Sequence, residues 1–364
     1  MEIIYKLLVK AIDGYASLRN KLSRGWSERN SSKIREWKLM AYALSKSRIG
    51  VLGGILVFIE VVLAIIGPYL AWQPYWVYPV IENPGLKLLP PCIPPWCTGH
   101  PLLGTDEWGR DLLSMTLVGI RISFVISIMV VVLGAPLGIL LGLIAGYKGG
   151  VIDEIIMRLT DIFMAFPALV LAIAFAAVLP SRFRLFLESN TIARNLIAGL
   201  LGLRAEEYPQ IAALLALWVA MIIVWWPGYA RVVRGSALSA REHTYVEAAK
   251  VLGLSTWRIL FKHMLPNIIS PIIVMMTFDI ATATLFAATL SFLGLGPQEP
   301  VPELGFMISK AGNWFPESSW HIVLFLGLVL LFIALGWNLL GDALRDVLDP
   351  RTRRAIEFSE GERK

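Results

Sequence analysis

Charge is scarce in this chain: Asp, Glu, Lys and Arg make up 16% of its 364 residues. A soluble globular chain carries about 25%, so the two or three soluble domains that this length would otherwise suggest are excluded. Cysteine is scarcer still. Cys92 and Cys97 are its only two, too few to close the tetrahedron of a structural zinc site. The histidines, His100, His243, His263 and His321, lie scattered without metal-ligand spacing, and each reads as a loop or interface residue. There is no glycine-rich phosphate loop ending in Lys-Ser/Thr, no H-E-x-x-H and no G-x-S-x-G. A P-loop nucleotide hydrolase, a zincin peptidase and an α/β-hydrolase are thereby excluded.

Apolar residues are abundant, at 56%, and fall in a few long blocks divided by short charged segments. A hydrocarbon core about 30 Å thick calls for roughly 20 apolar residues of helix. Six segments qualify: 49–72, 122–147, 162–181, 208–230, 268–293 and 322–341. The third is expected to begin a turn or two earlier, in VIDEIIMRLTD. None shows the alternation of a membrane barrel, and a backbone facing lipid must satisfy its own hydrogen bonds. Thirteen Trp and ten Tyr suit a protein with two membrane–water interfaces. The expected fold is an all-α polytopic membrane protein with six transmembrane helices, multi-pass in the cell membrane.

An even number of crossings puts both termini on one side, and Lys and Arg choose it. Residues 1–48 carry eleven of them against four acids. With the 147–161 turn, the 231–267 loop and the tail after Gly341, that side holds 25. Segments 73–117, 181–208 and 294–319 hold 7, and Arg121 stands at a helix mouth. Both termini are expected in the cytoplasm, and the four Arg of 181–208 are the discordant feature. The net charge of +6 therefore speaks of topology and implies no nucleic acid. In the basic N-terminal segment, Ile4, Leu8, Ile12, Tyr15, Leu18 and Leu22 recur at helical spacing with Lys6, Lys10, Arg19 and Lys21 on other faces. A helix lying on an anionic membrane surface and a flexible basic tail are both open readings. Segment 73–117 holds Pro74, Pro79, Pro84 and the run PPCIPPWC. It is expected to form an irregular, rigid extracytoplasmic cap. An oxidising compartment there favours a local Cys92–Cys97 disulfide over two unpaired thiols.

Two acids stand inside spans, Glu60 in the first and Asp279 in the fifth. An intramembrane charge is a functional candidate by default. An ion-coupled carrier would gather several such groups at mid-membrane between internal repeats, and neither feature is visible. A membrane hydrolase would need paired acids or a Ser/His set, also missing. A polar pathway lining or an interhelical hydrogen bond is the expected role of Glu60 and Asp279. The cytoplasmic loop 231–267 is more informative. Its stretch 247–252, EAAKVL, is helix-prone, and Gly253 suits a left-handed stop. Ser255 or Thr256 would cap a second helix reaching about Met264, ended by Pro266. The pair reads as a rigid helix–turn–helix knob fit for docking.

Glu247-Ala248-Ala249, Gly253 and His263-Met264-Leu265-Pro266-Asn267 resemble the EAA loop of the inner-membrane permeases of ABC importers, in the form of the dipeptide/oligopeptide family. GTDEWGRD at 104–111, GIRISF at 119–124, MRLTDIFMAFPALVLAI at 157–173, YARVVRG at 229–235, LSFLGLG at 290–296 and LRDVLDPR at 344–351 follow in the family's order. The resemblance extends over roughly residues 40–351 and is to the C-type permease. It implies the type I importer fold: a first helix at 49–72, a core at 118–342 that includes the coupling loop 231–267, and a cytoplasmic tail at 343–364. It implies a non-catalytic subunit that binds no cofactor. ATP and Mg would sit on two partner ATPase subunits, beside a B-type sister permease, an extracytoplasmic binding protein and membrane lipid. Glu247, Ala248, Ala249, Gly253, His263, Leu265, Pro266 and Asn267 would form the ATPase-coupling site. The chain departs from the family pattern at Ala287, where Glu is expected, and at Leu326-Gly327, where Pro-Gly is expected. The substrate stays open among peptides, oligosaccharides and metal chelates.

Overall fold

The structure, a computed structural model, describes residues 2–23, 25–92 and 101–348. Among these the backbone is helical, with no strand pairing beyond one bridge between Thr105 and Asp111. The chain opens with α1 (Glu2–Leu22), the short α2 (Trp26–Arg29) and α3 (Ser31–Lys46). α1 and α3 form an antiparallel hairpin. Tyr5 meets Tyr42 edge-on at 5.6 Å, Asp13 pairs with Lys38 at 2.7 Å, and the Tyr15 and Trp37 rings lie 5.9 Å apart. The first crossing, α4 (Arg48–Leu70), starts at Ser47, whose hydroxyl accepts from the Gly50 N–H at 3.0 Å as an N-cap should.

After the cap comes α5 (Leu112–Lys148), whose N-cap Asp111 accepts from the Ser114 N–H at 2.7 Å. It begins six residues before the expected core boundary at 118, inside the segment assigned to the cap, because Asp111 supplies the N-cap there. The next crossing is broken. α6 (Gly150–Ala165) and α7 (Ala168–Val178) meet at 87°. Pro167 disfavours helical geometry at Phe166, which is extended at φ −87°, ψ 139°. The uninterrupted helix expected over 162–181 is therefore two, and it starts twelve residues sooner. Segment 181–208, read as a loop, forms α8 (Pro180–Ser189) and α9 (Thr191–Leu201). α10 (Tyr208–Arg241) carries the fourth crossing eleven residues beyond its expected end. The knob helices α11 (Thr244–Val251) and α12 (Thr256–Arg258) lead into α13 (Leu265–Phe292). α14 (Leu304–Ala311) and α15 (Trp320–Leu348) complete the chain.

The ends of these helices sort into two layers. Gly50 lies against Ala343 and Leu44, and Lys250 stands over the Tyr147 ring, so both meet at one end. At the other end Gly67 abuts Leu117, Arg110 donates to the Pro300 carbonyl, and Arg121 donates to the Gly199 and Leu200 carbonyls. α6 therefore leaves from the first end and α9 lies at the second, so the bent pair makes one complete crossing. Five long apolar helices and this pair give six. The Arg-rich 181–208 segment belongs to the external end. There Arg204 pairs with Glu206 and stacks over Trp76, while Arg194 stands over Tyr208.

The central packing is α5 against α10. Gly138, Gly142 and Gly146 recur every fourth residue on α5, and a Cβ on each would fall 2.3 to 2.7 Å from the Trp226 carbonyl, the Ala230 carbonyl and the Ala237 side chain. Small residues at this spacing let two backbones approach, which is how helices associate where lipid offers no hydrophobic drive. A second close seam joins α4 to α15 through Gly53 and Gly336. The cap contains two 3₁₀ turns, Pro79–Ile81 and Pro84–Leu86, each begun by proline. Cys92 is buried and disulfide-bonded. Cys97 lies outside the described residues, as does the tail after Leu348.

Candidate coupling site

The loop after α10 is a knob with an apolar interior of its own. α11 turns on His243, and Gly253 follows at φ +71°, a conformation that costs a side-chain-bearing residue about 1 kcal/mol or more. Leu254 then donates to the Ala249 carbonyl at 3.2 Å, closing the helix end. Val246, Ala249, Ile259, Leu260 and Met264 are buried together with Leu143 of α5 and Val233, Ala237 and Ala240 of α10. The knob is thus continuous with the crossings above it.

Of the expected coupling residues, Glu247 and Ala248 are exposed, as are Pro266 and Asn267, while His263 and Leu265 are half-buried. Ala249 is not. It is 3% exposed and packs inside the knob, so of the Ala pair only Ala248 can meet a partner. Pro266 does not end a helix either. Ile259–Met264 forms a π turn, in which Leu265 donates to the Leu260 carbonyl five residues back, and the chain runs on into α13. The wider turn relieves the clash that proline would make with the carbonyl of the preceding α-turn. Asn267 donates to the His263 carbonyl at 2.6 Å across this join. Sequence reasoning missed the apolar tip: Val251 is 88% exposed and Leu252 76%, beside the stacked rings of Trp257 and Phe261. These four side chains, all exposed among the described residues, form the candidate docking face. Their signal in the sequence was apolar residues flanking Gly253 in a segment read as cytoplasmic.

Two ion pairs tie the third crossing to the fourth just above the knob. Arg234 of α10 grips Asp153 of α6 with Nε and a terminal nitrogen, the latter at 2.6 Å from Oδ2, and Arg231 pairs with Asp161. The bidentate fork fixes direction as well as distance. Both arginines lie in YARVVRG, but their partners could not be assigned from sequence.

The two intramembrane acids separate. Glu60 is 4% exposed and accepts from the Trp337 indole N–H at 2.8 Å; it joins α4 to α15 in the interior. Asp279 stands at mid-length of α13 beside Tyr229 and Trp225. It opens onto a cavity of about 480 Å³ bounded by the broken crossing at Phe163, Phe166 and Pro167.

The external end is held by GTDEWGRD. Asp106 accepts from the Trp108 and Arg110 N–H groups at 2.9 Å and from Arg110 Nε at 2.6 Å. Arg110 reaches the carbonyls of Tyr75 and Pro300, and His321 meets the Thr105 carbonyl at 3.0 Å. Glu303 caps α14, accepting from the Phe306 N–H at 2.8 Å; it is fully buried, and burial pushes its carboxyl up to about 7. Among the described residues no group of three His, Cys, Asp or Glu could hold a metal.

The bent crossing, the glycine-seamed helix pair and the knob lie within the part of the chain that a family of transport proteins matches. The chain belongs to the family of binding-protein-dependent transport system inner membrane components, whose model matches residues 138–354. It is a multi-pass ABC importer permease of the type I fold and catalyses no reaction itself. It is 34% identical to the dipeptide transport system permease protein DppC of Alkalihalophilus pseudofirmus over 320 residues, covering 88% of this chain and 91% of the relative. With the DppC of Haemophilus influenzae it shares 37% over 317 residues, 86% and 94% of the two chains. The glutathione transport system permease protein GsiD of Pectobacterium atrosepticum is 35% identical over 251 residues, 69% and 73%.

Proposed function

We propose that this chain is the C-type permease of an ATP-driven importer of short peptides. It pairs with a B-type sister permease, receives substrate from an extracytoplasmic binding protein, and is driven by two ATPase subunits. ATP and Mg²⁺ belong to those ATPases. The substrate class rests on the dipeptide and glutathione permeases it resembles; nothing in the structure favours an oligosaccharide or a metal chelate. Cys92 and Cys97 pair to stiffen the cap, and the N-terminal hairpin lies on the cytoplasmic membrane surface.

The observation that carries the coupling role is the apolar tip of the knob on a packed base. Val251, Leu252, Trp257 and Phe261 seat in a groove of an ATPase, with Glu247 at the positive end of α11. ATPase closure then moves the knob. Its buried contacts to α5 and α10, and the unbroken run into α13, carry that motion into the crossings. The ion pairs to Asp153 and Asp161 bring the third crossing along. Leu252→Asp, which places a charge on the exposed tip, should abolish ATPase co-purification. Gly253→Val should loosen it and uncouple hydrolysis from transport. Membrane insertion and pairing with the sister permease should be unchanged in both. Wild-type co-purification and binding-protein-stimulated hydrolysis in Leu252→Asp would place the coupling site elsewhere.

A further inference from the structure

Asp279 is the single ionisable residue lining its cavity among the described residues. The walls are otherwise apolar and aromatic: Phe163 and Phe166 from the broken crossing, Trp225 from α10 and Met275 from α13. Trp225 is braced edge-on by Phe286 at 5.3 Å, so the wall is a fixed surface. Among the described residues no Lys or Arg pairs with Asp279, whereas Asp153, Asp161 and Asp106 each have an arginine. The volume, about 480 Å³, lies in the range of small-molecule sites, which are apolar hollows with few polar groups that set orientation. A carboxylate at mid-helix, facing a hollow and lacking a counter-charge, is electrostatically incomplete. Glu60 is the internal contrast: Trp337 bonds to it as Tyr229 and Trp225 bond to Asp279, but Glu60 is 4% exposed between α4 and α15, whereas Asp279 opens onto the hollow.

We infer that Asp279 recognises the ammonium group of a peptide in transit, holding it against the Trp225 wall at the bend of the third crossing. The inference rests on the peptide-importer reading above and adds to it a selectivity element within the permease. A cation satisfies the carboxylate and is itself attracted to an aromatic face. A neutral sugar would leave the carboxylate without a counter-charge. Motion of the knob, passed through α13 and α10, would carry Asp279 and Trp225 together and so change the site's exposure between the two sides.

The test uses the assembled permease–ATPase complex in nanodiscs without the binding protein, so that the complex alone supplies any selectivity. Met275→Cys provides a reporter thiol in the cavity wall. Its reaction with a water-soluble thiol reagent is timed with and without a free-amine dipeptide or its N-acetyl derivative. The free amine should protect the thiol, and the acetylated peptide should need about tenfold more for the same effect, the ratio that the loss of one charge-assisted bond implies. Adding Asp279→Asn should remove that preference, and Asp279→Glu should retain it. Equal protection by the two peptides, a preference that survives Asp279→Asn, or a thiol that no aqueous reagent reaches would each overturn the inference. Peptide-dependent hydrolysis by the unsubstituted complex with its binding protein is scored separately. If that is absent the importer reading itself fails, whereas if it is present the fault lies with Asp279 alone.

Discussion

Glu303 shows how one side chain can tie an external segment to conditions outside the cell. It caps α14 from a fully buried position, with Oε2 accepting from the Phe306 N–H. Burial penalises the carboxylate, so its pKa in the folded state, about 7, exceeds the ordinary 4.5. Between those values the folded protein holds a proton that the unfolded chain has released. Stability from this group is full below about pH 4.5, falls as pH rises through 7, and is level above. The slope is roughly 1 kcal/mol per pH unit. The melting temperature of the purified complex should drop between pH 5 and 7 relative to Glu303→Gln, which cannot titrate. Parallel curves for the two proteins would refute the assignment.

At the scale of elements, the α5–α10 seam is the surface on which the permease depends. Its closeness is set by backbone, not by side chains: at Gly142 an added Cβ would lie 2.5 Å from the Ala230 carbonyl. That oxygen belongs to a helix and cannot swing aside. Gly142→Leu should therefore force the helices apart and cost at least the 1–3 kcal/mol or so of an overpacked core. In a detergent melt this variant should lose far more than Gly54→Leu, where nothing lies within 4 Å. Comparable melts for the two would mean that the seam has slack.

For the whole molecule, charge is partitioned as sharply as hydrophobicity. Residues 1–48 carry a net +7 against +6 for the entire chain, and in the α1–α3 hairpin Tyr15, Leu18 and Leu22 remain exposed along one side of α1. A basic helix with an apolar stripe, joined to a crossing through Ser47, suits an anionic bilayer surface, where each Lys or Arg contributes about 1 kcal/mol. Tryptic cleavage in the hairpin should be severalfold slower in nanodiscs containing phosphatidylglycerol than in pure phosphatidylcholine. Salt at about 0.5 M should erase the difference, because exposed charges are screened over a few ångströms at that strength. Identical cleavage rates in the two lipids would leave the hairpin as a free cytoplasmic tail.

The sequence by itself determined how many crossings there are, their order and the family, because span length, charge asymmetry and short motifs are local properties. It also marked out the loop between α10 and α13 as a compact turn-bearing segment, since Gly253 and the residues around Pro266 are signals within one stretch of chain. Other features depended on residues far apart. The pairing of Arg234 with Asp153, the enclosure of Ala249 and the separation of Glu60 from Asp279 are relations between helices, which no single segment encodes. The 87° break was half legible: Pro167 marks a weak point, but whether a helix kinks, continues or folds over depends on what packs against it. Pro266 makes the same point in reverse. A residue that ends an isolated helix is carried through by a π turn once Ile259, Leu260 and Met264 have a core to enter. Tertiary structure decided these matters because burial against a neighbour outweighs a local preference of a few kcal/mol.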